Sequence, residues 1–128
     1  MKNKLSIIIC IYNTDKEQFN NCLYSISNSI LENFEVVIVD DGSTIDYSDI
    51  ISSHSQTLNI NYIKTKNHGT LNARLLGIEK AKGDYICYVD SDDSISFCYH
   101  QASMIEIENA DIIINDWAFK INSTSYYC

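Results

Sequence analysis

The chain contains no proline and only four glycines in 128 residues. Element boundaries therefore rest on glycine and polar clusters alone. No segment approaches the roughly 20 apolar residues that a transmembrane helix needs. The first apolar run, Leu5 to Tyr12, is too short for a signal core and is followed by polar residues. No secretory leader is expected, so the sequon at Asn122-Ser123-Thr124 carries no weight. Cations are scarce: nine Lys and Arg face seventeen Asp and Glu, a formal charge of −8. Such a chain repels nucleic acid and anionic membrane surfaces at long range. A local anion site stays open, because a bound metal reverses the sign of a site.

The five cysteines include no CxxC pair and their number is odd, which argues against a disulfide framework and for a reducing compartment. Cys10 and Cys87 lie inside apolar runs and read as buried thiols. Cys98 and His100 have no partner pair at zinc spacing. There is no GxGxxG dinucleotide fingerprint and no GxxxxGK[ST] phosphate loop. No internal repeat, low-complexity tract or linker interrupts the chain, so residues 1–128 read as parts of one domain. A 45% hydrophobic content can supply its core.

What is present alternates between two kinds of segment. Leu5–Tyr12 is a continuous apolar run rich in β-branched residues, and Phe34–Val39, Asn59–Ile63 and Asp84–Val89 are further largely apolar segments. They read as strands, the longer ones buried on both faces. Thr14-x-x-Glu17 has the form of a capping box, and Phe19, Leu23, Ile26 and Ile30 follow at helical spacing, which predicts a helix over about 15–31. Ser43 is positioned to cap a helix over about 44–54. Leu71, Leu75, Ile78 and Ala81 mark the core face of a third helix, with Gly83 as its C-terminal stop. A helix over about 97–108, a strand at Asp111–Asn115 and a further strand after Trp117 complete the expected pattern. Together these indicate an α/β fold: a mainly parallel sheet with helices on both faces.

Sheets of this kind bind ligands beyond the carboxyl ends of their strands. Asp40-Asp41 follows the second strand and Asp90-Ser91-Asp92-Asp93 follows the fourth. Either cluster alone reads equally well as helix caps or solvated turns. Two clusters at successive strand ends favour a hard divalent cation bridging carboxylate and phosphate oxygens. An aspartate-based phosphotransfer domain would need its nucleophile after the first strand, where this chain has Tyr12-Asn13. Lys64 and Lys66 read as a solvated loop, and His54, His68 and His100 as surface residues.

Four blocks, in order, resemble the family 2 glycosyltransferases. They are Ser6–Asn13; Asp40-Asp41-Gly42-Ser43; Asn72-Ala73-Arg74 through Gly77 to Tyr85; and Val89-Asp90-Ser91-Asp92-Asp93, the DxD motif. The likeness spans about residues 4–115. It implies the GT-A (Rossmann-like) fold, cut before its acceptor-binding half. By this resemblance Tyr12 packs on the nucleotide base. Asp41 accepts the base imide N–H with Asp40 in support, which favours uracil. Arg74 faces the acidic rim, Asp90 lies near ribose and metal, and Asp92 ligates Mg²⁺ or Mn²⁺. Asp93 reads as a helix cap. The implied activity is inverting, metal-dependent transfer from a nucleotide-sugar, a UDP-sugar, to a glycan or glycolipid acceptor; the alternative is a non-catalytic nucleotide-binding module that needs a partner or the missing half. In bacterial members such enzymes build surface polysaccharide, in the cytoplasm or peripherally at the inner membrane face.

The chain departs from the family pattern in two places. Cys10 and Ile11 stand where many members have proline, and Leu75 where Asn commonly follows the Arg. The Leu75 change is expected to loosen the nucleotide loop. A general base must take the acceptor proton. Glu106, Glu108, Asp111 and Asp116 do not match the family's base, so that role is unassigned. The expected uncovered sheet edge makes a homo-oligomer a further expectation.

Overall fold

The computed structural model describes residues 5–29, 31–95, 118–121 and 124–127. Four parallel strands form the sheet: β1 (Leu5–Ile11), β2 (Phe34–Asp40), β3 (Ile60–Lys64) and β4 (Tyr85–Tyr88), in the order β3-β2-β1-β4. Three helices connect them: α1 (Lys16–Ser27), α2 (Ser48–His54) and α3 (Thr70–Lys80). Strands β5 (Ala118–Ile121) and β6 (Thr124–Tyr127) pair antiparallel as a separate hairpin, so the tail holds two strands rather than one. The helix expected over 97–108 and the strand expected at 111–115 lie outside the described residues.

Alternation along β1 and β2 divides the core in two. Ile7, Ile9 and Ile11, with Val36 and Ile38, face α1 and α2 and pack on Phe19, Leu23, Ile26 and Tyr47. Ile8, Val37 and Val39 face α3 and pack on Ala73. Because both faces are covered, β1 and β2 have no polar alternation to show, which is why they read as solid apolar runs.

Several local expectations are corrected. Asp15, not Thr14, caps α1: its Oδ1 accepts the Gln18 N–H at 3.1 Å. The helix stops at Ser27 rather than near 31. Ser27 and Ser29 bond back to the carbonyls of Leu23 and Ile26, which competes with the helical ladder. Helix α2 begins at Ser48, not 44, because Ser43 is committed elsewhere: its Oγ accepts the Asn13 N–H and its own N–H goes to Asp40.

The core face of α3 is also not the one expected. Leu71, Leu75 and Ile78 are exposed, and Ala73 and Gly77 are buried against the sheet. A Cβ on Gly77 would lie 2.5 Å from Ile8 Cγ2. Small residues let the helix sit this close, and the larger apolar stripe is turned outward. Gly83 does not end the helix; Ala81 does, in an extended conformation. Gly83 instead allows close backbone passage, since a Cβ there would lie 2.7 Å from Ser6 N. His54 is buried rather than on the surface, with Nε2 2.9 Å from Asn20 Oδ1.

Candidate donor site

An open cleft of about 430 Å³ lies at the carboxyl ends of β1 and β4 and reaches the end of β2. That volume falls within the range usual for small-molecule sites. Tyr12, Asp41, Arg74, Asp90 and Asp92 all line it, together with Cys10 and Thr70. Of the six residues that the resemblance assigns to nucleotide or metal, Asp40 alone is set back from the cleft.

The rim is built by interlocking the loops that leave the strands. Asn13 adopts a left-handed conformation (φ 50°), which Asn tolerates better than most side chains. Its Oδ1 accepts from both the backbone N–H and the hydroxyl of Thr44, and its own N–H donates to Ser43 Oγ. The loop after β1 is thereby tied to the loop after β2. Tyr12 stands beside this junction with half its surface exposed to the cleft.

Asp40 is fully buried. Its Oδ1 accepts the Ser43 N–H at 2.8 Å, and its Oδ2 accepts the Tyr62 hydroxyl at 2.5 Å. Lys64 Nζ is 4.0 Å from Oδ2. Burial, and then the hydrogen bond to Asp40, push the Tyr62 phenol far up, so it stays a donor at all ordinary pH. Asp40 therefore shapes the turn rather than facing a ligand.

Asp41 has two tasks available. Its oxygens receive the N–H groups of His68 and Gly69 at 2.9 and 3.0 Å, which folds the loop after β3 toward the cleft. Each oxygen retains a further lone pair for a ligand donor. Gly42 (φ 88°) permits this approach, because a Cβ there would lie 2.7 Å from Asn67 N. Leu75, which stands where the family pattern has Asn, is exposed on α3.

Arg74 reaches across from α3. Its Nη2 lies 3.5 Å from Asp90 Oδ1, and its guanidinium carbon sits 5.3 Å from the centre of the Tyr88 ring. The aromatic face holds the cation over the rim while leaving its outer N–H groups free to meet an anion. Cys10 lines the same cleft; burial raises its thiol, outweighing nearby Arg74, so it stays protonated.

Asp90, Ser91, Asp92 and Asp93 form a turn closed by Asp93 N–H to Asp90 O at 3.0 Å. Burial, and then the charges of Asp92 and Asp90, raise the Asp93 carboxyl. Asp93 caps no helix within the described residues. Among those residues no three His, Cys, Asp or Glu side chains gather to hold a metal unaided. The exposed carboxylates of Asp90 and Asp92 nonetheless fit a hard divalent cation that takes its other oxygens from water and phosphate. Crowded negative charge, visible at Asp93, is what such a cation relieves.

The family model described as glycosyl transferase family 2 matches residues 6–126. The chain belongs to this family. An uncharacterised glycosyltransferase of Rickettsia bellii is 42% identical over 90 residues, which is 70% of this chain and 13% of that protein. The crystal structure of S. aureus TarS 1-349 in complex with UDP-GlcNAc superposes with a TM-score of 0.71 at 29% identity, over 82% of this chain and 31% of that one. A mannosyltransferase from Pyrobaculum calidifontis, in complex with GDP-Man and Mn²⁺, shares the fold with a TM-score of 0.69 at 19% identity. The fold is thus GT-A, and the chain spans well under half the length of the relatives it matches.

Tyr62 and Tyr88 take part in building the cleft without having been singled out from the sequence, and Thr14 was read only as a helix cap. Their signal was confined to position near a strand end, which many residues share.

Proposed function

We propose that this chain binds the donor of a metal-dependent glycosyltransferase, and that the donor is a UDP-sugar. The observation that carries the reading is the convergence of Tyr12, Asp41, Arg74, Asp90 and Asp92 on one cleft from three different strand ends and one helix. Tyr12 offers a face for the base, and Asp41 an acceptor for an imide N–H. Asp90 and Asp92 would hold Mg²⁺ or Mn²⁺. The bound cation would neutralise charge that develops on the departing diphosphate.

Arg74 adds a second positive group on the same side of the cleft. In an inverting transfer the acceptor hydroxyl oxygen bonds to the anomeric carbon as the bond to the diphosphate breaks. The diphosphate leaves with the electron pair, and the hydroxyl proton passes to a base. No described residue is given that last role; Glu106, Glu108, Asp111 and Asp116 lie outside the described residues.

The acceptor in this reading is a glycan or glycolipid of a bacterial surface polysaccharide, and the site of action is the cytoplasm or the inner membrane face. No helix among the described residues is long and apolar enough to cross a membrane. The exposed stripe of Leu71, Leu75 and Ile78 supports self-association, which sedimentation across a concentration series would reveal.

Calorimetric titration with UDP tests the donor site. Binding in Mn²⁺ that is lost in EDTA and in Asp92→Asn supports it. A folded chain that ignores UDP in every condition refutes it.

A further inference from the structure

Thr14 lies two residues beyond Tyr12, on the base side of the cleft, yet its side chain turns to the metal side. Its Oγ1 is 2.7 Å from Ser91 Oγ, a contact between positions 77 residues apart. Ser91 is the middle residue of the DxD turn and is almost entirely buried. Its two neighbours, Asp90 and Asp92, are exposed to the cleft.

The other end of this link is fixed in the core. The Thr14 carbonyl accepts the Tyr47 hydroxyl at 2.6 Å. The Tyr47 ring is buried edge-to-face on Phe19, with centroids 5.3 Å apart at 80°. Burial is the main cause that raises the Tyr47 phenol, which keeps it a donor. Among the described residues α1 also reaches the turn, through the Cys22 thiol donating to the Asp90 carbonyl at 3.6 Å. Burial pushes that thiol up to about 12, and a sulfur donor at this distance is weak. Among the described residues Thr14 therefore supplies the hydroxyl that fixes the middle of the turn from the base-side loop.

We infer that Thr14 is a positioning residue for the metal-binding turn, coupling the nucleotide-base loop to Asp90 and Asp92 through Ser91. The inference rests on the donor-site reading above. A carboxylate pair binds a small divalent ion well only if its oxygens are held in place before the ion arrives. Without the Thr14 hydroxyl, Ser91 keeps a buried polar group with no partner from that loop, and the turn gains alternatives to its cation-ready form.

The experiment uses the 128-residue chain with Thr14→Val, Thr14→Ser and Ser91→Ala. UDP binding in Mn²⁺ is measured by calorimetry, and binding of uridine, which has no diphosphate, by NMR. Thr14→Val is expected to weaken UDP binding about five- to tenfold while leaving uridine unchanged, the size expected for one hydrogen bond. Thr14→Ser restores the wild-type value. If Thr14→Val fails to fold, Ser91→Ala removes the same bond from the other side and is read the same way. Equal weakening of UDP and uridine would mark Thr14 as a general structural residue and overturn the inference. So would UDP binding by the folded variant at wild-type strength. A wild-type chain that binds no UDP in Mn²⁺ overturns the donor-site reading and this inference with it.

Discussion

Tyr62 donates its hydroxyl proton to Asp40 Oδ2 at 2.5 Å, across the β2–β3 pairing, and this bond holds a fully buried carboxylate at the end of the central sheet. Asp40 in turn fixes Ser43, and Ser43 fixes Asn13. The support for the Tyr12 side of the cleft thus begins one strand away from it.

Tyr62→Phe removes the hydroxyl and changes little else. It leaves one oxygen of a buried carboxylate with only Lys64 at 4.0 Å. The expected cost is about 1–3 kcal/mol, the range for stranding a buried polar group. The urea midpoint should fall with an unchanged slope. A midpoint equal to wild type would show that water or Lys64 replaces the phenol fully.

Asp41→Asn tests the other carboxylate of the pair. An amide has one oxygen to accept with and presents N–H groups where the loop also presents N–H groups. The loop after β3 should open, and the His68 amide should exchange its hydrogen faster. His68 is the cleaner probe, because the Gly69 N–H also has Asn67 Oδ1 at 3.2 Å. UDP affinity should fall by about tenfold or more, in line with loss of a hydrogen bond to a charged group. Unchanged exchange at His68 would detach Asp41 from the loop.

Most of the sheet was legible because β1 and β2 are covered on both faces, and burial on both faces leaves a continuous apolar run. Asp41, Asp90 and Asp92 were legible as carboxylates gathered at successive strand ends, whereas Tyr12 and Arg74 entered only through the family resemblance. What misled was chemistry that depends on distant partners. Thr14 has the sequence form of a cap, but Ser91 competes for its hydroxyl across 77 residues. Ser43 also has the form of a cap, but Asn13 and Asp40 use it. Helix α3 carries two stripes at the same spacing, one of Leu and Ile and one of Ala and Gly. Spacing cannot say which faces the sheet; the close approach at Ile8 decides it. Asp40 and Asp41 are adjacent in sequence and look equivalent, yet one is walled in and the other lines the cleft.

Gly83→Ala probes close backbone passage at the amino end of the sheet. The Gly83 N–H donates to Ser6 Oγ, and Ser6 Oγ donates to Glu35 Oε1, which also accepts the Lys82 N–H. A methyl group at position 83 would meet Ser6 N at 2.7 Å and Leu5 C at 2.8 Å, both backbone atoms that cannot turn aside. The expected destabilisation is about 1–3 kcal/mol, as for overpacking elsewhere. Thermal unfolding should show it as a drop of several degrees. An unshifted transition would mean that the α3–β4 connection moves as a unit to make room.

His54 carries a pH dependence whose sign follows from its burial. Desolvation lowers its imidazole below the ordinary value of 6.5. Above pH 6.5 the ring is neutral in both the folded and the unfolded chain, and its contribution to stability is complete. As pH falls below 6.5 the unfolded chain takes up the proton first, so unfolding is favoured. The loss grows until the pH passes the lowered folded value. Asp46 and Asp49, both held below their ordinary range by hydrogen bonds, lose their contributions only at more acid pH. His54→Gln keeps a donor for Asn20 and removes the titration. Urea midpoints measured between pH 7.5 and 5 should fall for the wild type and change less for the variant. Parallel curves for the two proteins would mean that His54 takes up its proton equally well folded and unfolded.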